Sequence, residues 1–345
     1  MIYADKIAQI ENFTFDSIVE LNRSLLPIEY RVCPWRYPGL NHGTAVLTTE
    51  KQCSAYIAAY GSMHQSKINE VLDNIKVDDF RNNDIQIIDW GCGQGLATVC
   101  LFDFFNKQNI PIELVKKVVL IEPSEMALQR AIIHVSAYKG NDNEKIVSIK
   151  KFLDDVDSDE IKSEHPITIH LFSNILDISS IDLLRLSNVI KDNLKGQHYF
   201  FCWGPLNYGN SRIDVFWNYF NEADSIFSNV HSKQQYDNDG RLLKTYNYTA
   251  KNRVFKVNGD ECELILVDYY LPKQFHAAYQ LDAVRRALSG IEKEKLEGLY
   301  QNLSEFEIQT PFDIGASIYD DVHPILAVLS NIVTRGLPTK RQPFP

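Results

Sequence analysis

Between about residues 84 and 206, short apolar runs alternate with helix-length segments. Ile85-Gln86-Ile87-Ile88-Asp89 predicts a first strand, and a helix from Leu96 through Phe105 follows a glycine-rich turn. Lys117 to Glu122 predicts a second strand, followed by a helix from Glu125 to about Tyr138. Ile146 to Phe152 is a weaker third strand, and Ile167 to Phe172, entered through Pro166, is a fourth. Ser179 or Ser180 can cap the next helix, which carries Leu183, Leu184, Leu186, Val189, Ile190 and Leu194 and stops at Gly196. His198 to Trp203 predicts a fifth strand. Strands alternating with helices imply parallel crossovers and a sheet covered on both faces.

The flanks read differently. Asn210 or Ser211 can cap a helix bearing Ile213, Phe216, Trp217 and Phe220 at helical spacing, and His231 to Lys244 has the polarity of an inserted loop. Arg253 to Val257 and Glu263 to Val267, separated by Asn258-Gly259-Asp260, read as an antiparallel hairpin. Helical segments follow at Ala277 to Leu288 and Pro324 to Thr334. Ahead of the sheet, Thr49-Glu50-Lys51-Gln52 fits a capping box. A Pro/Gly-rich stretch holding Trp35, Tyr37 and His42 reads either as a lid or as a packed connector. The domain reading is a helical N-terminal extension over 1–76, a core over 77–271 with an insertion at about 230–250, and a helical C-terminal extension over 272–345.

Composition narrows the class. The 345 residues are 45% hydrophobic and 23% charged, the balance of a globular chain. Lys and Arg number 35 against 45 Asp and Glu, and the resulting charge of −10 counts against nucleic acid on average, DNA in particular. No run approaches the length of a membrane span, and Asp5, Lys6, Glu11 and Asp16 interrupt any secretory leader, so a cytoplasmic protein without membrane attachment is expected. Six scattered cysteines include no C-x-x-C pair and read as buried thiols of a reducing compartment. Asp320, Asp321 and His323 precede Pro324 at a helix start, where acidic residues suit the helix dipole better than they suggest a metal, and no metal site is expected.

The chemistry is concentrated in Asp89-Trp90-Gly91-Cys92-Gly93-Gln94-Gly95, which follows the first strand and opens a helix. Glycines let the backbone turn sharply and approach a bound group closely, and the helix start offers unpaired amides. A dinucleotide fingerprint would want glycines at 91, 93 and 96, and position 96 is Leu. The acidic residue two places before the first glycine faces an ammonium better than a pyrophosphate.

This Asp-x-Gly-x-Gly-x-Gly pattern resembles the class I S-adenosylmethionine-dependent methyltransferases over roughly residues 84–270. The resemblance implies an α/β fold with a Rossmann-like, mostly parallel seven-stranded sheet ending in an antiparallel hairpin. It implies S-adenosyl-L-methionine as cofactor, with Asp89, Gly91, Cys92, Gly93 and Gly95 at its methionine portion, and Glu122, followed by Pro123, at the ribose hydroxyls. After the third strand, Asp154 is placed either at the adenine amino group or in a solvated acidic loop. After the fourth, Ser173 and Asn174 stand at the carboxyl edge where open sheets bind ligands, and Asn174 either orients cofactor or substrate or caps the next turn. Ser173-Asn174-Ile175-Leu176 replaces the Asn/Asp-Pro-Pro-Tyr tetrad that marks methylation of exocyclic base nitrogens in related enzymes.

Transfer from a sulfonium asks the protein to align the nucleophile and exclude water, and forces no particular catalytic residue. Tyr56, Tyr60, His64 and Lys67 recur at spacings of four, four and three, on one face of a helix that could close over the cofactor, with Tyr60 and His64 the preferred members. Trp203 and Tyr208 could wall the acceptor pocket. A further resemblance, carried by Tyr56-x-x-x-Tyr60 leading through Lys67 and Leu72 into the glycine loop, is to methyltransferase-like proteins associated with the small ribosomal subunit. Those carry additional C-terminal cysteine ligands that this chain lacks. The expected function is methyl transfer to a small-molecule, protein or RNA acceptor, with a non-catalytic, cofactor-binding assembly partner as the alternative.

Overall fold

Four of the apolar runs become strands buried on both faces, as a parallel sheet with helical crossovers requires. In a computed structural model, β1 (Ile85–Trp90), β2 (Val115–Ile121), β3 (Ile146–Ile149), β4 (Ile167–Ser173) and β5 (Gln197–Pro205) run parallel. β6 (Asp224–Lys233) and β7 (Tyr248–Asn258) complete a seven-stranded sheet of order β3-β2-β1-β4-β5-β7-β6, in which β7 is antiparallel to both neighbours. The structure describes residues 2–41, 45–139, 145–205, 212–220, 223–233 and 248–260, all within the compact unit Met1–Leu264. His42, Tyr208, Asn210, Ser211, the limb at 263–267, the helices predicted after it and Asp320, Asp321 and His323 lie outside the described residues.

Alternation along each strand sorts its side chains between two cores. Ile87, Leu120, Leu171 and Phe201 enter one apolar cluster; Ile88, Ile121, Phe172 and Phe200 enter the other. Among the described residues four α-helices precede the sheet: α1 (Tyr3–Ala8), α2 (Phe15–Ser24), α3 (Ile28–Arg31) and the long α4 (Glu50–Leu72). α5 (Leu96–Lys107) and α6 (Glu125–Lys139) share the first cluster with α2 and α4, while α7 (Leu183–Lys191) and α8 (Arg212–Trp217) cover the second. Phe15, Ile18, Ile57 and Val71 of the N-terminal helices are buried in the same cluster as the sheet. None of the described helices is long and apolar enough to cross a membrane.

The predicted capping box is formed. Thr49 Oγ1 accepts from Gln52 N at 3.2 Å, and Gln52 Oε1 accepts from Thr49 N at 3.1 Å. Trp35 and Tyr37 pack with Leu26, Leu40 and Cys53 in a small separate cluster.

Three predicted details change. α7 is capped by Asp182, whose carboxylate accepts from Leu184 N and Arg185 N at 3.0 Å each, and not by Ser179 or Ser180. β3 stops at Ile149 because Lys151 N turns back to Ile149 O at 3.2 Å. The terminal hairpin pairs β6 with β7, so residues from Asp224 onward form a strand and the predicted loop at 231–244 begins too early. β6 is an edge strand with Ile226 and Val230 exposed, so it lacks the burial periodicity that marks a strand in sequence.

Candidate functional site

Register brings the chemistry to one edge of the sheet. Trp90 lies level with Ile121 on β2 and with Phe172 on β4, and Ser173 lies level with Trp203 on β5. The next residues along these strands are therefore Gly91, Glu122 and Asn174, at the carboxyl ends where open α/β sheets form their crevice.

The loop after β1 folds as its glycines demand. Gly91, Gly93 and Gly95 all have positive φ, at 61°, 53° and 74°. A Cβ at Gly91 would stand 2.6 Å from Ile175 Cδ1, so the segment after β4 is seated directly on this glycine. At Gly93 an added Cβ would meet nothing within 4 Å, and the loop there faces open space. Cys92 N donates to Ile121 O at 2.9 Å and carries the β1–β2 ladder into the loop.

Two carboxylates converge on this loop. Glu122 accepts from Gly93 N at 3.0 Å and from Ser124 N at 2.9 Å, one bond to each oxygen. Burial raises its pKa against those two bonds. Asp89 is 1% exposed and accepts from Thr98 Oγ1 at 2.7 Å through Oδ2, leaving Oδ1 buried without a hydrogen-bond partner among the described residues. Burial pushes the Asp89 carboxyl up to about 7, and Glu122 pushes it the same way. The Cys92 thiol beside them is held well above its ordinary range by burial and by both carboxylates. This is an electronegative cradle with an orphaned acceptor, which suits a cationic group. A pyrophosphate would meet two carboxylates.

The tyrosine- and histidine-bearing face of α4 lies at the same edge. The Tyr56 and Tyr60 rings are 5.3 Å apart, and Tyr56 stacks on His64 at 5.9 Å. Asn174 has φ 55° and is fixed at four points. Its N donates to Trp203 O at 2.7 Å, and its Oδ1 accepts from Lys67 Nζ at 2.7 Å. Its Nδ2 reaches His64 Nδ1 at 2.9 Å and Ser173 Oγ at 3.2 Å. Burial drives His64 down to about 3, with Lys67 acting in the same direction, so its imidazole is neutral at pH 7. Burial lowers Lys67 to about 8 while Asp177 partly restores it. Asp177 Oδ1 is itself buried and without a hydrogen-bond partner among the described residues.

Asp154 behaves otherwise. Its Oδ1 accepts from Asp182 N at 3.0 Å and its carbonyl accepts from Arg185 Nε at 2.7 Å, so both groups tie the loop after β3 to the start of α7. Pro123 precedes Ser124, which bonds the Leu47 carbonyl and accepts from Ala127 N at 3.1 Å in the first turn of α6. The structure thus brings Asp89, Cys92, the three glycines, Glu122, Ser173 and Asn174 to one sheet edge, with Tyr60 and His64 on the helix beside it. Trp203 is 1% exposed with Nε1 unpartnered among the described residues.

Sequence reasoning gave no role to Ile175, Asp177 or Gln94. Gln94 Nε2 donates to Cys53 O at 3.0 Å and binds the glycine loop to α4. Its position inside the glycine run was the only available signal. No group of three or more metal-ligating side chains occurs among the described residues.

The strand order, with its antiparallel β7 and the acidic ends of β1 and β2, is the class I methyltransferase fold. No family model matches the chain, and no curated protein matches it. Among solved structures the chain is similar to the magnesium protoporphyrin IX methyltransferase of Synechocystis with bound S-adenosylmethionine. That match is at 12% identity over 71% of this chain and 99% of that one, with a TM-score of 0.36. It is similar also to the m1A22 tRNA methyltransferase of Bacillus subtilis, at 12% identity over 77% and 97% of the two chains and a TM-score of 0.32. A third is the precorrin-6y C5,15-methyltransferase of Geobacter metallireducens, at 9% identity, 65% and 98% coverage and a TM-score of 0.35.

Proposed function

We propose that this chain is a methyltransferase using S-adenosylmethionine. The observation that carries the reading is a pair of carboxylates, the buried Asp89 and the part-buried Glu122, converging on a glycine loop that opens at Gly93. In this reading Asp89 with Gly91, Cys92, Gly93 and Gly95 holds the methionine portion, with the orphaned Asp89 Oδ1 available to its ammonium. Glu122 retains a lone pair on each oxygen for the ribose hydroxyls, with Pro123 beside it. Asp154 stands toward the adenine side, and Ser173 with Asn174 borders the acceptor.

The bound sulfonium supplies an electrophilic methyl group, and the residues of the chain align and shield. Burial raises the Tyr60 phenol, so Tyr60 remains protonated at neutral pH and serves as a hydrogen-bonding wall for the acceptor. His64, neutral and held by Asn174, packs behind it. In this reading the face of α4 that bears Tyr60 and His64 closes over the bound cofactor.

Calorimetric titration of the purified chain with S-adenosylmethionine, and separately with NAD, tests this. Saturable binding of the first alone, weakened at least tenfold by Glu122→Ala, is expected. Binding of NAD in preference, or of neither, would overturn the reading.

A further inference from the structure

The two edges of the sheet are unlike. β3, at one end of the strand order, is four residues long, and shortness is one way in which a protein keeps an edge from pairing further. β6, at the other end, runs for ten residues, and among the described residues only β7 pairs with it. Its register shifts once, between Ser225 and Phe227, and from Phe227 to Lys233 it pairs regularly with Val254 back to Tyr248. The outer N–H and C=O groups of such a strand are a template for another chain, against which prolines and charges are the usual guards. Between Asp224 and Lys233 the run Ser-Ile-Phe-Ser-Asn-Val-His-Ser contains neither a proline nor a lysine, arginine or acidic residue. It carries exposed apolar residues instead, Ile226 at 41% and Val230 at 55%.

This strand is complementary to itself in one direction. Its formal charges are an acid at the start, Asp224, and a base at the end, Lys233. Two copies laid antiparallel bring the acidic start of each against the basic end of the other, whereas a parallel pair would set like charges together. Opposite charges across two strands stabilise the pair and like charges oppose it. The apolar residues then select the register. With Ser228 on a two-fold axis, Ile226 of each copy stands opposite Val230 of the other, so both exposed residues are covered twice over. A slip of one residue would set Ile226 against His231 instead. A two-fold contact of this kind is closed, and the short β3 edges offer little for further growth.

We infer that β6 is a dimerisation strand, to whose outer edge a second copy of this chain adds antiparallel, joining the two sheets into one. The inference does not rest on the methyltransferase reading. β6 is separated from β1 by β4, β5 and β7, and the pairing draws on no residue of the glycine loop.

Sedimentation equilibrium of the full chain over a concentration series tests it. A single strand pair buries less than a standard interface, so a dimer half-dissociated at roughly 10–100 µM is expected. Val230→Lys changes an exposed position and removes both symmetry-related apolar pairs. It should raise the dissociation constant roughly tenfold while leaving the melting temperature of the monomer unchanged. Asp224→Lys should weaken the dimer as well, and combining it with Lys233→Asp should restore it. Cross-linking reads the register. Ser228→Cys stands on the axis and should form an intermolecular disulfide on mild oxidation. Asp224→Cys should not, because its two copies are separated by eight positions along the pair, roughly 26 Å.

A chain that stays monomeric throughout the series overturns the inference, as does a dimer indifferent to Val230→Lys. Equal cross-linking at the two cysteine positions, or a charge exchange that fails to restore the dimer, overturns the antiparallel pairing.

Discussion

Arg130 on α6 hydrogen-bonds the carboxylate of Glu50 at the start of α4 through Nε at 3.0 Å, with 2% of the arginine side chain exposed against 56% of the glutamate. The guanidinium also donates to Asn22 Oδ1 at 2.8 Å and Ser54 Oγ at 3.1 Å, and lies 3.8 Å above the Tyr3 ring. One buried cation thus joins α1, α2 and α4 to the crossover helix behind the glycine loop. Arg130→Ala strips all of these partners at once and should destabilise the protein by roughly 3–5 kcal/mol. Glu50→Gln keeps an acceptor at a half-exposed position and should cost about 1 kcal/mol. Urea midpoints of the two variants give the comparison. Equal losses would mean that the arginine is no hub.

Gly91 and Gly93 have the same left-handed backbone but opposite surroundings. Alanine at either position carries a backbone penalty of about 1–2 kcal/mol. At Gly91 the new methyl also meets Ile175 at 2.6 Å, whereas at Gly93 it meets nothing within 4 Å. Gly91→Ala should therefore be the less stable of the two. Gly93→Ala should fold with a modest loss and yet lower affinity for S-adenosylmethionine by tenfold or more, because its methyl occupies the space that the ligand needs. Thermal melts and calorimetry on both variants separate these effects.

The features legible in the sequence are those with local or periodic signals. β1, β2, β4 and β5 are continuous apolar runs, and the face of Tyr56, Tyr60, His64 and Lys67 follows from helical spacing alone. β6 was hidden because an exposed edge strand need not alternate, and its partner strand was consequently assigned to the wrong hairpin. The polar connections had no local trace. Lys67 and Asn174 are 107 positions apart, and Arg130 and Glu50 are 80 apart. Such pairs become visible only when the sheet register and the path of α4 are known. The same holds for Ile175, whose seat on Gly91 is a contact between two strand ends.

Asp89 should show a conflict between stability and binding. Its folded pKa stands at about 7 against an ordinary 3.8, so the folded chain binds the extra proton between those values. By linkage, stability rises as pH falls through 7 and levels off below about 4. Above pH 7 the buried charge costs on the order of 4 kcal/mol, since each tenfold change in proton affinity is worth about 1.4 kcal/mol. Asp89→Asn removes that charge while keeping an oxygen for Thr98. It should melt at a higher temperature than the unaltered chain at pH 8, with the gain shrinking to nothing near pH 4, and it should bind S-adenosylmethionine more weakly throughout. A variant less stable than the unaltered chain at pH 8 would show that Asp89 is not carrying a costly buried charge.

A chain of directed hydrogen bonds crosses the sheet away from the site, and its pH dependence has the sign opposite to that of Asp89. Trp90 Nε1 donates to His170 Nδ1 at 3.1 Å, so His170 carries its proton on Nε2 and donates to His198 Nδ1 at 3.0 Å; His198 Nε2 lies 3.0 Å from both the N–H and the carbonyl of Lys195, and the direction set by Trp90 gives its proton to the carbonyl. Both imidazoles are 1% exposed, and His170 stacks on Phe200 at 4.4 Å. Burial drives His170 well below 6.5 and lowers His198 to about 4, although the Lys195 carbonyl and Asp260 hold His198 up somewhat. A lowered histidine pKa means that the unfolded chain binds more protons below 6.5, so the stability from this pair is intact above pH 6.5 and is lost as pH falls toward 4. For His198 alone the loss by pH 5 is about 2 kcal/mol, because each pH unit below 6.5 favours the protonated unfolded chain by about 1.4 kcal/mol. His198→Gln cannot titrate, and its side-chain amide still offers an acceptor to His170. It should be less stable than the unaltered chain at pH 7.5 but lose less stability between pH 7.5 and 5, so the two urea midpoints converge on acidification. Parallel curves would show that this pair does not contribute to acid unfolding.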